Sequence, residues 1–396
     1  MARKVVITHA KRTPIGKFMG IFSNATAVDL GVAATKGVIK ESGIDPNLIQ
    51  ELILGNARQA GNRPNPGRQV AYFSGIPKES PAYTINKACG SGLKSIILAY
   101  QAITLGDADI IVAGGTENMT LVPFMLPKFR AGYRLGNAPV VDGMFHDGLM
   151  CPLCNIVMGS TAENLAEKYK ISRLEQDTFA FDSYHKCEKA IKEGKFKDEI
   201  IPVILKDSKG KEIVIEKDET PRNGVTMEAL AKLEPIFKKG GTVHPGNSCP
   251  IADSAAALLV MSEEKAKELG YKPMAYISGY ATAGVEPAYM GIAPVPAIRN
   301  LEKKTGQKLA DFDLIELNEA FAAQMIADDR ELKLPIDRVN VNGGSIALGH
   351  PIGSTGVRIV VTLLHEMKKR NAKKGLASLC MSGGMGMAVS FNSSPA

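Results

Sequence analysis

The sequence predicts an α/β fold made of two related halves. Short apolar strand patterns alternate with helical patterns in both end regions of the chain, which is typical of a sheet covered by helices. The order of these patterns near the C-terminus repeats the order near the N-terminus, and a strand-poor segment lies between them. With 396 residues, the chain is long enough for more than one core.

The N-terminal half begins with alternating strand and helix patterns. Three apolar runs predict buried strands: KVVITHA, IQELILGNA and ADIIVAGG. Residues 29–43 predict a helix that ends at Gly43. In residues 91–106 the apolar positions fall at helical spacing, and Gly106 follows as a stop. Together these patterns predict one α/β unit.

The middle of the chain has a different composition. Residues 119–249 are rich in Met, Lys, Asp and Pro and lack regular strand patterns, although RLEQDTFAFDSYHKCEKAIKEG predicts one long helix. A strand pattern resumes at ADSAAALLVM. We therefore predict that residues 119–249 are an insertion packed over an N-terminal domain of residues 1–270, and that a C-terminal domain covers residues 271–396.

The C-terminal half repeats the N-terminal patterns in order. FDLIELNEAFAAQ resembles IQELILGNARQA, and NGGSIALGHPIGSTGVRIVVTLLHEM presents a glycine-rich turn before a helix, as CGSGLKSIILAYQAITLG does. GLASLCMSGGMG ends an apolar strand in a glycine pair, as ADIIVAGG does. Because ligands of open α/β sheets bind beyond strand ends, we expect the two halves to form one site.

Composition excludes several classes of function. The formal net charge is +7, there is no Trp, and the basic patches lack interleaved aromatics, so no nucleic-acid partner is expected. A mildly basic surface suits an anionic small molecule. No run of about 18 apolar residues or secretory leader is evident, so we expect a cytoplasmic protein without a membrane partner. Six irregularly spaced cysteines fit reduced cytosolic thiols.

The pair Cys151 and Cys154 forms a single C-x-x-C motif. Four ligands are needed for a structural zinc site, so no metal is expected. Two readings stay open for this pair: two unrelated thiols, or a redox pair that closes under oxidation and alters the substrate loop.

Four residues in the repeated motifs can carry chemistry: Cys89, Asn318, His350 and Cys380. Alone, each has an ordinary structural explanation, such as a buried thiol or a helix cap. Together the four residues suggest a catalytic site, because the predicted helix start favours a thiolate at Cys89 and a histidine supplies its base. Adjacent glycines let backbone N–H groups approach a carbonyl oxygen, and a second thiol can exchange a carbon-bound proton. The set indicates acyl transfer with carbon–carbon bond chemistry.

These motifs resemble the thiolase family over nearly the whole chain. The matching stretches are NKACGSGLKS, VAGGTENM, MGSTAENLA, GKFKDEIIPV, MGIAPVPAI, NEAFAAQ, NVNGGSIALGHPIGSTG and CMSGGMG, in the family's order. The resemblance implies two similar α/β halves in a five-layer αβαβα sandwich with an inserted loop domain. It also implies that coenzyme A thioesters are substrates and that no cofactor is tightly bound.

The resemblance assigns catalytic roles to particular residues. It implies that Cys89 accepts the acyl group, that His350 takes the Cys89 proton, and that Cys380 exchanges the α-proton of the second acyl-CoA. Asn318 would position a water that, with His350, holds the enolate oxygen. The backbone N–H groups of Cys89 and Ser382 would form a second oxyanion hole around the acyl-enzyme carbonyl.

The resemblance also implies contacts with coenzyme A. Arg222 matches the residue that lies against the adenine, and Met158, Ala320 and Phe321 match positions along the pantetheine tunnel. The remaining predicted substrate contacts are Met290 and Cys249. Cys249 stands where the family usually has a serine that binds the pantetheine, and Val157 stands where members acting on acetoacetyl-CoA often have a histidine.

The function implied by the resemblance is a reversible, ping-pong condensation of two acetyl-CoA molecules to acetoacetyl-CoA and CoA. The main alternative is a degradative 3-ketoacyl-CoA thiolase that acts on longer chains in fatty-acid β-oxidation. A catalytically silent acyl-CoA-binding homologue and a carrier-protein ketosynthase are further alternatives, and a ketosynthase would not have a second cysteine like Cys380. The family also implies a homotetramer or a homodimer.

Overall fold

The structure is a computed structural model that describes residues 3–206 and 209–395. Its strands are β1 (Val5–Arg12), β2 (Gly16–Lys17), β3 (Glu51–Gly55), β4 (Ala82–Ile85), β5 (Ile110–Glu117), β6 (Phe124–Met125), β7 (Val141–Asp142), β8 (Met150–Cys151), β9 (Ile156–Val157), β10 (Val203–Lys206), β11 (Glu212–Ile215), β12 (Ala252–Ser262), β13 (Ala275–Gly284), β14 (Leu314–Leu317), β15 (Lys374–Met381) and β16 (Met385–Asn392). Its α-helices are α1 (Ala27–Ser42), α2 (Pro66–Phe73), α3 (Ser91–Leu105), α4 (Met158–Lys168), α5 (Arg173–Lys192), α6 (Met227–Ala231), α7 (Glu263–Glu268), α8 (Pro294–Thr305), α9 (Ala322–Leu332), α10 (Ser345–Leu348) and α11 (Ile352–Arg370).

The main sheet has the same topology at both ends. Its strand order is β14, β15, β16, β13, β1, β12, β5, β3, β4, with β2 paired to β12. In the N-terminal half, β3 runs parallel to β5 and the strands further inward are antiparallel. The C-terminal half repeats this pattern, since β14 is parallel to β15 and the next pairs are antiparallel. Within the sheet, the two halves are joined by strand pairing of two residue pairs between β1 and β13.

Helix contacts divide the molecule into five layers. On one outer face α1 packs against β1, β5 and β12, and on the other outer face α8 packs against β13, β15 and β16. Between the two halves of the sheet, α3 packs against α11. A buried apolar cluster combines residues of both central helices with strands from both halves. The predicted α/β fold of two similar halves in an αβαβα sandwich is confirmed.

The two central helices cross at glycines near their N-terminal ends. A Cβ atom on Gly92 would lie 2.8 Å from the carbonyl oxygen of Gly353, and one on Gly356 would lie 2.2 Å from the backbone nitrogen of Leu93. Larger residues would force the helices apart, so glycine is needed for this crossing. The crossing brings the starts of α3 and α11 together, and with them the segments that hold Cys89 and His350.

Local patterns explain the element boundaries. The helices α1 and α3 end at Gly43 and Gly106, whose φ angles of 66° and 88° are left-handed as the predicted stops require. The long helix predicted in the middle segment is α5. That segment also contains α4 and a β10–β11 hairpin, neither of which was predicted from the sequence. The two hairpin strands form a separate two-stranded sheet outside the main sheet. No helix within residues 3–206 or 209–395 is long and apolar enough to cross a bilayer.

Candidate active site

The repeated motifs meet at one cavity of about 530 Å³. Its lining includes Cys89 from the start of α3, His350 from the turn before α11, Cys380 from β15 and Ser382 from the turn after β15. Three of these four residues come from the C-terminal half, while Cys89 comes from the N-terminal half. The structure therefore places in one cavity residues that are almost three hundred positions apart in the sequence.

The loop that carries Cys89 is held in a strained conformation. Ala88 has a φ angle of 48°, in the left-handed region that residues with a Cβ atom seldom adopt. The hydroxyl of Ser91 accepts a hydrogen bond from the backbone N–H of Lys87 at 2.8 Å and donates to the carbonyl of Ala88 at 2.7 Å. These bonds fix Cys89 directly before Gly90, the N-cap of the fifteen-residue helix α3.

Burial decides the protonation of Cys89. Burial raises the pKa of its thiol, although the positive charge of Arg58 and the backbone N–H groups of Ser382 and Cys89 oppose the increase. The sequence led us to expect that the helix start would favour a thiolate and that a histidine would complete its activation. The raised pKa instead means that the resting group is a thiol and that a base must remove its proton.

His350 has the geometry of such a base. Its Nδ1 lies 2.7 Å from the hydroxyl oxygen of Thr355, and that hydroxyl donates to the carbonyl of Pro351 at 3.0 Å. Since the hydroxyl proton is used on Pro351, we assign the imidazole proton to Nδ1, which leaves Nε2 as the acceptor. Burial, with the charges of Arg358 and Arg58, lowers the pKa of His350 to about 3, so the ring is neutral at physiological pH.

Asn318 presents a buried donor without a protein partner. It follows β14, where its backbone N–H donates to the carbonyl of Ser378 at 3.0 Å. Its side-chain oxygen accepts from the hydroxyl of Ser345 at 2.6 Å, and that hydroxyl accepts from the guanidinium of Arg358 at 2.6 Å. Within the described ranges, no group accepts a hydrogen bond from its Nδ2. The amide is thus fixed on one side and free to donate on the other.

Cys380 is a fully buried thiol. Burial raises its pKa well above the ordinary value, and the nearby Cys89, Asp328 and Cys249 raise it further. A thiol with a high pKa is a strong base once it is deprotonated, which suits the removal of a proton from carbon. The effect of Cys89 on the pKa of Cys380 reflects their closeness in the cavity.

Comparison with known proteins agrees with this geometry. Residues 5–264 match the family model described as "Thiolase, N-terminal domain", and residues 271–393 match "Thiolase, C-terminal domain". The chain belongs to the thiolase family. It is 52% identical over 387 residues to a Pseudomonas aeruginosa protein named acetyl-CoA acetyltransferase, with 98% of each chain covered.

Two solved structures place this thiolase among enzymes of closely similar fold. The Bacillus anthracis acetyl-CoA acetyltransferase superposes with a TM-score of 0.97, at 46% identity and 99% coverage of both chains. The human mitochondrial 3-ketoacyl-CoA thiolase in complex with CoA superposes with a TM-score of 0.95, at 41% identity and full coverage of both chains.

The substrate contacts predicted for this thiolase divide into two groups. One group lines the cavity: Met158, Cys249, Met290, Ala320 and Phe321. Cys249 is tied to this wall because its backbone N–H donates to the carbonyl of Ala320 at 3.1 Å, and burial raises its pKa, so it presents an S–H group. Arg222 is exposed and does not line the cavity.

The sequence reading missed three residues of the site. Thr355 orients the imidazole, Glu117 holds the loop after β3, and Arg58 lines the cavity. A signal existed for Arg58. When IQELILGNARQA is aligned with FDLIELNEAFAAQ, Arg58 is equivalent to Ala320. The family resemblance had already assigned Ala320 to the pantetheine tunnel.

Cys151 and Cys154 lie outside the cavity lining, in the β8–β9 hairpin of this thiolase. Both thiols are free. Burial raises the pKa of Cys151, but backbone N–H groups of Cys154, Leu153 and Gly383, together with the Cys154 thiol, outweigh it and lower the pKa. Because Gly383 follows Ser382, the pair touches the loop that contributes to the cavity. The redox hypothesis stays a prediction.

Proposed function

We propose that this thiolase is an acetyl-CoA C-acetyltransferase that reversibly condenses two acetyl-CoA molecules to acetoacetyl-CoA and CoA through an acyl-Cys89 intermediate. The observation that carries the proposal is the shared cavity of Cys89, His350 and Cys380. Asn318 is buried and is not among the residues that line this cavity. The names of the Pseudomonas and Bacillus relatives support the same reaction.

The first half-reaction transfers an acyl group to the enzyme. Neutral His350 takes the proton of Cys89 through Nε2, and the thiolate attacks the thioester carbonyl. The carbonyl oxygen becomes negative and is stabilised by the backbone N–H groups of Cys89 and Ser382. The C–S bond to CoA then breaks, the departing CoA thiolate takes the proton of the Cys380 thiol, and His350 keeps the Cys89 proton on Nε2.

The second half-reaction forms the carbon–carbon bond. The Cys380 thiolate formed in the first half-reaction removes the α-proton of the second acetyl-CoA. The enolate oxygen accepts hydrogen bonds from the protonated Nε2 of His350 and from a water bound to the free Nδ2 of Asn318. The α-carbon attacks the acyl carbonyl, and the bond to Cys89 breaks. Cys89 recovers its proton from His350 and Cys380 keeps the α-proton, so the resting groups are restored and one acetoacetyl-CoA and one CoA are formed overall.

Coenzyme A is a substrate in this proposal. The pantetheine would pass Met158, Met290, Ala320 and Phe321, which line a mostly apolar cavity, and would meet the Cys249 thiol. A thiol is a weaker hydrogen-bond donor than a hydroxyl, so the contact at Cys249 contributes less than a serine would. The proposal retains the adenine contact of Arg222, a cytoplasmic location and a homotetramer or homodimer as predictions.

Steady-state kinetics in the thiolysis direction test the proposal. Acetoacetyl-CoA and longer 3-ketoacyl-CoA substrates are varied against CoA, and we expect ping-pong kinetics with comparable or higher kcat/KM for acetoacetyl-CoA. One observation favours the degradative alternative: Val157, where a histidine is usual, lines the cavity and leaves its end apolar. A strong preference for the longer chains would establish that alternative instead.

A further inference from the structure

Arg58 is the one residue with a formal charge among the residues that line the cavity. It follows β3 in the N-terminal half and is only 8% exposed. The cavity lining is otherwise apolar or weakly polar, as Met119, Leu149 and Ile352 illustrate. A permanently charged guanidinium is costly to bury without an anionic partner, so its position needs an explanation.

The hydrogen bonds of the protein leave this guanidinium incompletely satisfied. Its Nη2 donates to the carbonyl of Gly148 at 2.7 Å. Its Nε is buried and has no hydrogen-bond partner in the part of the chain that the structure describes. The bond to Gly148 fixes the planar group, and the unpartnered Nε leaves the guanidinium with hydrogen-bonding capacity that the protein does not use.

The nearest internal anion does not fill this role. Glu117 is close enough for the charge of Arg58 to lower its pKa against the effect of burial, but its contact with Arg58 is to the backbone N–H at 2.9 Å. The carboxylate of Glu117 is occupied by other donors, since it also accepts from the side chain of Asn56 and the backbone N–H groups of Ala57 and Gly353. No carboxylate forms an ion pair with the Arg58 side chain in residues 3–206 and 209–395.

Arg58 is also near the reacting groups. Its charge lowers the pKa values of both Cys89 and His350, although burial has the larger effect on each. The guanidinium therefore lines the same cavity as Cys89, near the position of an acyl group bound to that thiol. A neutral acyl chain reaching this point would displace solvent from Arg58 without replacing its hydrogen bonds.

We propose that Arg58 is a specificity-determining residue that binds a carboxylate at the far end of the acyl group transferred to Cys89. The inference rests on the proposed function and extends it to acyl-CoA substrates derived from dicarboxylic acids. The planar donors of arginine match a carboxylate, and the apolar wall suits the methylene groups between the two ends of such a chain. The carboxylate itself is unchanged in the reaction, which breaks and forms the same bonds as with acetyl-CoA.

A pair of substrates that differ only at the chain end tests the proposal. Thiolysis of 3-oxoadipyl-CoA is compared with thiolysis of 3-oxohexanoyl-CoA, which has a methyl group in place of the carboxylate. For the wild type we expect kcat/KM to be at least about 10-fold higher with the carboxylated substrate. In Arg58→Leu we expect the ratio of the two kcat/KM values to fall by about 10- to 100-fold, which corresponds to the loss of a charged hydrogen-bonded pair. Arg58→Lys keeps the charge without the planar donors and should give an intermediate ratio.

Each result decides between specific explanations. If Arg58 only tuned Cys89 and His350, both substrates would slow by the same factor in Arg58→Leu and the ratio would stay constant, which overturns the proposal. A wild-type ratio at or below one overturns it without any variant. Turnover of acetoacetyl-CoA and 3-oxohexanoyl-CoA but not 3-oxoadipyl-CoA removes this inference and leaves the proposed function standing. Failure to turn over any of the three substrates removes the proposed function as well.

Discussion

The two halves of the sheet place the same residue type at equivalent strand ends and use it differently. Asn56 follows β3 and Asn318 follows β14. The amide nitrogen of Asn56 donates to the carbonyl of Thr116 at 3.1 Å and to the carboxylate of Glu117 at 2.6 Å. The amide nitrogen of Asn318 is buried and has no partner among the described groups. One amide nitrogen therefore holds a loop, and the other is left without a partner in the protein.

The neighbouring strands differ in the same way. By strand register, Glu117 beside β3 and Cys380 beside β14 are equivalent positions, each two residues beyond the partner of the last residue of the parallel strand. Glu117 collects four hydrogen bonds from the protein, whereas Cys380 faces the cavity. The comparison teaches that one repeated frame can stabilise the loop after β3 in one half and leave reactive groups open in the other.

Replacing Cys380 and Glu117 by close isosteres should show which side chain serves catalysis and which serves stability. We expect Cys380→Ser to lower kcat by roughly 10²- to 10⁴-fold, because a hydroxyl is a much poorer base for a carbon-bound proton. Its thermal unfolding should change little. Steady-state rates and thermal unfolding of the same preparation measure both effects.

Glu117→Gln should lower stability more than it lowers kcat. An amide group would place a donor against backbone N–H groups that now meet an acceptor, with a cost of about 1–3 kcal/mol in the free energy of unfolding. If Glu117→Gln lowered kcat as much as Cys380→Ser without loss of stability, the distinction between the two halves would be wrong.

The two asparagines give the next largest contrast. Asn318→Ala removes the free donor at the enolate site and should lower kcat by roughly 10²-fold, with a smaller effect on KM. Asn56→Ala leaves a buried carboxylate of Glu117 with one donor fewer and should lower the unfolding free energy by about 1–3 kcal/mol. Kinetics and denaturant unfolding of both variants check this, and equal kinetic losses would contradict it.

The low pKa of His350 makes stability depend on pH. The folded ring has a pKa of about 3, whereas an unfolded histidine has about 6.5, so the unfolded chain gains a proton first as the pH falls. The contribution of His350 to stability is therefore complete above pH 6.5 and declines toward pH 3, by up to about 1.4 kcal/mol per pH unit. Between pH 7.5 and pH 5, the wild type should lose about 2 kcal/mol more than His350→Asn in urea unfolding. Parallel losses would show that the buried ring is not neutral.

The smallest expected effect concerns Cys151 and Cys154. Because Cys151 has a lowered pKa to which the neighbouring Cys154 contributes, peroxide should oxidise the two thiols to a disulfide, with the peroxide reduced to water. Thiol counting by peptide mass, with and without reductant, measures the reaction, and Cys154→Ser is the matched control. Activity should fall less than in the variants above, since the pair touches the cavity loop only through Gly383. If both thiols remain free after peroxide treatment, the redox hypothesis is wrong and Cys151 and Cys154 are two unrelated thiols.

The sequence predicted the parts of this molecule that depend on local patterns. Apolar periodicity and glycine stops located α1 and α3, and the repeat predicted that Cys89 would meet residues of the second half. Arg58 and Thr355 escaped because their roles depend on distances across the fold, and arginine or threonine near a turn is ordinary in a sequence. The state of Cys89 was also out of reach, since burial outweighs the helix start and burial cannot be read from a motif.

The most direct test of a site shared between the halves is the intact mass of the protein after brief incubation with acetyl-CoA. The account predicts one acetyl adduct on the wild type, none on Cys89→Ala, and an adduct that persists on Cys380→Ser when more acetyl-CoA is supplied, because acylation needs Cys89 and condensation needs Cys380. Cys249→Ser, which removes a different thiol of the same cavity, should still acquire the adduct. An acetyl adduct on Cys89→Ala, or its absence from Cys380→Ser, would contradict the account.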